Sequence, residues 1–179
     1  LYAQWTDKPT FTVTLDPNGG TLGTTSITAA NGEPYGALPT PARDGYTFDG
    51  WYDAQTGGTE ITSTTIVTAT AAHTLYAHWT ANNYTVTFDP NGGDAITPAT
   101  KDVEYGATYG TLPAATRTGY TFDGWYDAAV GGNKIEPTSV VDKSENHTLY
   151  AHWGTEGHVV TFDPNGGAAV TPATKDVEY

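Results

Sequence analysis

Apolar and polar residues alternate strictly along two stretches of this chain and loosely along a third. Phe11, Val13 and Leu15 alternate with threonines, as do Tyr84, Val86 and Phe88, and His158–Phe162 follows more roughly. A period of two is the mark of a half-buried strand. Each stretch runs into the same five letters, Asp-Pro-Asn-Gly-Gly, at 16–20, 89–93 and 163–167. These predict a turn: Asp can bond the backbone ahead, Pro fixes φ, and Asn-Gly accepts φ > 0. A further alternating stretch, Gly45–Ala54, recurs letter for letter at Gly119–Ala128. Phe48 and Trp51 lie three apart there, so a plain strand would place them on opposite faces. A bulge at Asp49-Gly50 would turn both, and their mates Phe122 and Trp125, the same way.

The closing motif Leu-Tyr-Ala-His-Trp stands at 75–79 and 149–153, with Leu-Tyr-Ala-Gln-Trp at 1–5. Leu75, Ala77 and Trp79 share one strand face, taken as core; Tyr76 and His78 share the other. Between these motifs, Tyr35-Gly-Ala-Leu-Pro39 returns as Tyr109-Gly-Thr-Leu-Pro113. Pro39, Pro41 and Pro113 leave room there for a helical turn or two at most. The spacing is that of a tandem array. Residues 1–5 read as the last strand of a preceding repeat, 11–79 as repeat 1, 84–153 as repeat 2 and 158–179 as the first hairpin of a truncated third. The connectors, 6–10, 80–83 and 154–157, are short, which predicts a semi-rigid rod of units. The fold class expected is α+β, strand-dominated, in small tandem repeats with a short or minimal helix. Small units bury little surface, so aromatics must supply the core. Trp51, Trp79, Trp125, Trp153, Phe48, Phe122 and Phe88 are the residues expected there.

Composition narrows the partners. Seven Lys and Arg against 20 Asp and Glu give a net charge of −13, which argues against nucleic acid and anionic membrane. The absence of Cys excludes disulfides and thiolate sites. The absence of Met reads as a piece of a longer chain. Many Thr, Gly and Asn with few charges read as extracellular and bacterial.

Taken in order, the strand ending in DPNGG, then YG-x-LP, R-x-GYTFDGWY, a Gly-Gly turn and TLYAHW resemble the Listeria–Bacteroides repeat. This is the B-repeat of internalin-type bacterial surface proteins. The resemblance covers essentially the whole chain. It implies a small, divergent β-grasp fold, tandem copies in secreted or cell-wall-attached proteins, and no catalytic residues. In a β-grasp sheet the first and last strands of a unit lie side by side. Residues 1–5 and the strand from His158 would then pair between copies, giving head-to-tail filaments and not a closed dimer.

Candidate chemistry is sparse. Asp16, Asp89, Asp163, Asp49, Asp123, Asp53 and Asp127 sit beside turn formers, where backbone bonding accounts for them better than catalysis. His73 with His78, and His147 with His152, sit five apart. Gln4 replaces the second histidine in the first tail, against a zinc site. The loop from Asp89 to Asp94 lacks the spaced carboxylates of a calcium loop. Repeat 1 has no Lys, so an internal Lys–Asn bond cannot harden every unit. No enzyme, cofactor or metal is expected. Tyr76, Tyr150, Tyr52 and Tyr126 are the aromatics expected to face a ligand, such as a glycan or host surface protein. The function expected is a stalk or fibre segment of a bacterial cell-surface protein, whose partners are neighbouring repeats. The alternative is an adhesive module acting through those tyrosines or an open sheet edge.

Overall fold

Threonines at 12 and 14 face solvent while Val13 and Leu15 are buried to 1% exposure or less, so the alternating stretch becomes strand β1, Thr10–Asp16. The computed structural model describes residues 8–178. Leu1–Trp5, expected as a last strand, lies outside them. In the first unit β1 is followed by β2 (Ser26–Ala30), β3 (Tyr46–Tyr52), β4 (Glu60–Ile61) and β5 (His73–Ala81). They form one mixed sheet in the order β2-β1-β5-β3-β4. The first and last strands are parallel neighbours at its centre, with Leu15 opposite Leu75. All other pairs are antiparallel.

The second unit repeats the plan with β6 (Asn83–Asp89), β7 (Thr100–Glu104), β8 (Tyr120–Tyr126), β9 (Lys134–Ile135) and β10 (His147–Thr155), in the order β7-β6-β10-β8-β9. A separate hairpin follows, β11 (Gly157–Thr161) with β12 (Thr174–Glu178). There Val160 and Phe162 are 41% and 44% exposed, where their equivalents Val86 and Phe88 are 0% and 3%. The chain divides into its two compact units between Asn82 and Asn83. The connectors are shorter than the sequence implied. Strands run through them, leaving only Asn82 between β5 and β6 and only Glu156 between β10 and β11.

The DPNGG turns form by the expected chemistry. The Asn18 N–H donates to Asp16 Oδ1 at 2.8 Å, and the same bond recurs at Asn91 and Asn165. These three asparagines have φ of 46–47° and are the described non-glycine residues with positive φ. The next glycine serves packing. A Cβ on Gly20 would lie 2.5 Å from Cζ2 of Trp79 and 2.8 Å from the Ala42 carbonyl. The bulge in β3 falls between Phe48 and Gly50. It sets Phe48 and Trp51 edge to face, with ring centroids 5.7 Å apart.

No helix forms among the described residues. The stretch 32–43, within which a turn or two was expected, is irregular, with isolated bridges from Pro34 to Ile66 and from Ala42 to Thr21. Its donors go sideways: Gly32, Tyr35 and Gly36 N–H bond the carbonyls of Val67, Thr65 and Ser63. Three prolines, Pro34, Pro39 and Pro41, lack the donor a helix needs, and Gly36 adopts φ of 74°. Val67, at 1% exposure, enters the core from this loop pair, and Tyr35 and Leu38 pack against it.

Candidate functional site

Each five-stranded sheet has an apolar face closed by its loops and a second face carrying the repeated aromatics. On β5, Leu75 and Ala77 point to the core at 0% exposure, so Tyr76 and His78 point away. Tyr76 pairs across the ladder with Tyr52 of β3, and Tyr150 with Tyr126. Such cross-strand pairs stabilise the sheet itself. All four tyrosines are half-buried. The His78 ring stacks on Tyr52 at 3.9 Å and 10°, and His152 on Tyr126 at 3.8 Å and 8°. Each histidine is also fixed by its edge: Nε2 donates to the carbonyl of Ala54 or Ala128 at 2.9 Å. The structure therefore brings Tyr52, Tyr76 and His78 together, and their mates likewise.

The residues expected in the core divide. Trp51 and Trp125 are 2% exposed and Phe88 3%. Each buried indole donates to a loop carbonyl, Pro39 at 2.8 Å and Pro113 at 2.9 Å. Phe48, Phe122, Trp79 and Trp153 are only half-buried and pack against the rim of the cores. Trp79 and Trp153 lean on the DPNGG turns, donating to Pro17 and Pro90 at 3.0 Å.

The other candidate groups are engaged locally. His73 Nε2 accepts from the Tyr35 hydroxyl at 2.8 Å while Nδ1 donates to the Ala71 carbonyl; His147 does the same with Tyr109 and Glu145. Burial pushes the Tyr109 hydroxyl up to about 12, helped by the charges of Asp142 and Asp127. Burial, then Asp53, raises Tyr35 as well. Asp53 and Asp127 accept N–H groups across the Gly-Gly turn at 2.7 Å. That bond, with the Asn133 amide, holds the Asp127 carboxyl below its usual range. Asp94 accepts from Thr116 at 2.8 Å. Asp49 lies on the bulge and not in a turn, accepting from Thr80 at 2.9 Å. No group of three or more His, Asp or Glu that could hold a metal occurs among the described residues.

Two further pairs of repeated residues acquire roles that no spacing rule singles out. Asn18 donates to the Ala77 carbonyl at 3.0 Å, and Asn91 to those of Ala129 and Ala151, also at 3.0 Å. They clip the turn onto the sheet. Arg43 and Arg117 lay their guanidinium groups over the Tyr46 and Tyr120 rings, 3.8 and 3.7 Å from the centroids. Their recurrence at equivalent positions was the available signal.

Comparison with known proteins agrees with this duplicated geometry. The model of the Listeria-Bacteroides repeat domain matches residues 11–78 and again 84–152. Internalin H of Listeria monocytogenes is 40% identical over 140 residues, 78% of this chain and 25% of the relative. Two proteins of Evansella cellulosilytica, named as a membrane protein and a Gly-rich membrane protein, are each 33% identical over 97% and 100% of this chain. The chain spans only 21–26% of the length of these relatives. Two family matches, one on each five-stranded unit, place the chain in the Listeria-Bacteroides repeat family.

Proposed function

We propose that this chain is a stretch of tandem β-grasp-like repeats serving as a stalk or spacer in a bacterial extracellular or cell-surface protein. The order β2-β1-β5-β3-β4, with parallel first and last strands at the centre, supports the β-grasp reading, with loops standing where that fold carries its helix. The observation that carries the functional reading is the repetition of one self-contained unit with a single residue between the last strand of one and the first of the next. Each unit buries its own aromatic core. Among the described residues the recurring carboxylates accept from turn N–H groups or threonine hydroxyls, and the imidazoles bond loop carbonyls and tyrosine hydroxyls. The names of the relatives, an internalin and two membrane proteins, support a place at the cell surface.

The paired tyrosines on the outer faces favour an adhesive role as the second reading, since aromatic faces bind sugars and peptides and repetition adds avidity. Screening residues 1–179 on glycan and host-protein arrays separates the two. The stalk reading expects no ligand held by the tyrosine face. A ligand whose binding is lost in Tyr76→Ala with Tyr150→Ala, in a protein that melts normally, would overturn it.

A further inference from the structure

Beside the tyrosine face, each unit carries a shallow cleft, and the two clefts are built alike. In the first unit it measures about 320 Å³ and is lined by Arg43, Asp49, His78 and Trp79. In the second it measures about 400 Å³ and is lined by the equivalents Arg117, Asp123, His152 and Trp153. These volumes lie at the small end of the roughly 300–1,000 Å³ usual for ligand sites. We propose that each cleft binds one sugar residue bearing a carboxylate, such as a uronic acid unit of a surface polysaccharide. This goes beyond the spacer reading and does not depend on it.

The arginine argues for the carboxylate. Arg43 and Arg117 are the only arginines in a chain of net charge −13, and each lies at the same place in its unit. Neither has a carboxylate oxygen within 4.0 Å among the described residues; the ion pairs found there belong to Lys8 with Glu33 and Lys134 with Glu136. Each guanidinium lies over a tyrosine ring and beside the DPNGG turn, where a Cβ on Gly19 or Gly92 would sit 3.4–3.5 Å from it; Arg43 Nη1 also donates to the Asn18 carbonyl at 3.5 Å. A planar fork fixed this way is preorganised for a carboxylate. The overall negative charge opposes any anion, but at physiological salt that field is screened over about 8 Å. The local guanidinium then decides.

The other walls argue for a sugar. Asp49 and Asp123 are exposed carboxylates that share the cleft with the arginine without bridging to it. They can accept hydroxyl hydrogens, and they repel a phosphate dianion about twice as strongly as a singly charged carboxylate. Trp79 and Trp153 offer half-buried indoles whose N–H groups are already committed to Pro17 and Pro90. What remains of each ring is an apolar surface suited to the C–H face of a pyranose. At the lip of the second cleft Val130 is 90% exposed, the most exposed large hydrophobic residue described.

The test uses the four indole N–H resonances of Trp51, Trp79, Trp125 and Trp153 in ¹⁵N-labelled protein at physiological salt. Titration with sodium glucuronate should shift Trp79 and Trp153 saturably and leave Trp51 and Trp125, bonded inside the cores, in place. Glucose should shift them far less, and acetate, inorganic phosphate and a peptide with a free C-terminus should not reproduce the change. Arg43→Gln with Arg117→Gln should abolish the response while the Trp51 and Trp125 signals persist. Should that variant unfold, Arg43→Lys with Arg117→Lys keeps the charge, loses the fork and should weaken binding several-fold. Asp123→Asn should weaken binding at the second cleft, whereas a purely electrostatic anion site would tighten. No response of Trp79 and Trp153 to glucuronate, an equal response to acetate, phosphate or peptide, or a response that survives loss of both arginines overturns the proposal.

Discussion

Truncating Trp125 to alanine should melt the second unit and spare the first. The side chain is 2% exposed, and a buried tryptophan removes roughly 150–250 Å² from water. At about 25 cal/mol per Å² that is some 4–6 kcal/mol of transfer free energy. Truncations of this kind measure about 3–5 kcal/mol, most where the site collapses least. Contacts with Phe88 at 4.9 Å and Phe122 at 5.6 Å leave little room for collapse. The Pro113 carbonyl also loses its indole donor at 2.9 Å, worth about a further 1 kcal/mol. A unit of about 70 residues has only about 4–10 kcal/mol of stability in total. At roughly 4–8 °C per kcal/mol for so small a unit, its transition should fall by about 16 °C or more, or vanish. Heating the ¹⁵N-labelled protein while following the Trp51 and Trp153 indole signals reads the two units separately. A second-unit transition within a few degrees of the parent would refute the core role of Trp125. Simultaneous loss of Trp51 would refute the independence of the units.

Tyr109→Phe should cost the second unit about 1 kcal/mol at neutral pH through the lost bond to His147. The ordering of parent and variant should then change in alkali. A tyrosine pushed up to about 12 in the folded unit stabilises it fully below the ordinary value of 10, and that contribution drains away as pH rises from 10 through 12. It amounts to about 3 kcal/mol at most. Alkaline melting curves in which parent and variant keep the same gap throughout would contradict this. Gly93→Ala should destabilise the second unit by about 1–3 kcal/mol through overpacking, because the new Cβ would lie 2.8 Å from the Thr116 carbonyl and inside the contact shell of Trp153; an unchanged Trp153 indole signal with unchanged melting would show that packing to be loose. Asn91→Ala loses two bonds and a favourable left-handed φ of 47°, for about 2–3 kcal/mol. Asn91→Gly should fall between, restoring the φ alone, and equal denaturant midpoints for the two variants would remove the conformational part of that account.

The strands were legible because threonine and hydrophobe alternate so cleanly in β1 and β6, and the bulge because Phe48 and Trp51 stand at an odd spacing around Asp49-Gly50. The absent helix was half legible: the prolines near 39 and 113 limit its length, but only the loop at 62–69 shows where the backbone donors go instead. Trp79 and Trp153 look like core in sequence because they follow Leu and Ala on one strand face. They end at the rim, where each indole turns onto Gly20 or Gly93. The tyrosine–histidine stack joins residues 26 apart in the chain (Tyr52 with His78), and the arginine cleft joins three separate turns. Neither leaves a local spacing to read, and only their recurrence in the second unit marks them.

The parallel pairing of β1 with β5 and of β6 with β10 has a mechanical consequence. Tension along the chain enters a unit at the start of its first strand and leaves at the end of its last. Because these two strands run side by side in the same direction at the centre of the sheet, that pull slides one past the other. The hydrogen bonds between them, spanning Val13–Asp16 against His73–Tyr76 in the first unit, are loaded together and in shear instead of being peeled one at a time. Force-ramp unfolding of the chain held at its ends should therefore meet far more resistance than the same units held across β3 and β4, where the bonds would unzip in sequence; equal forces in the two geometries would disprove it.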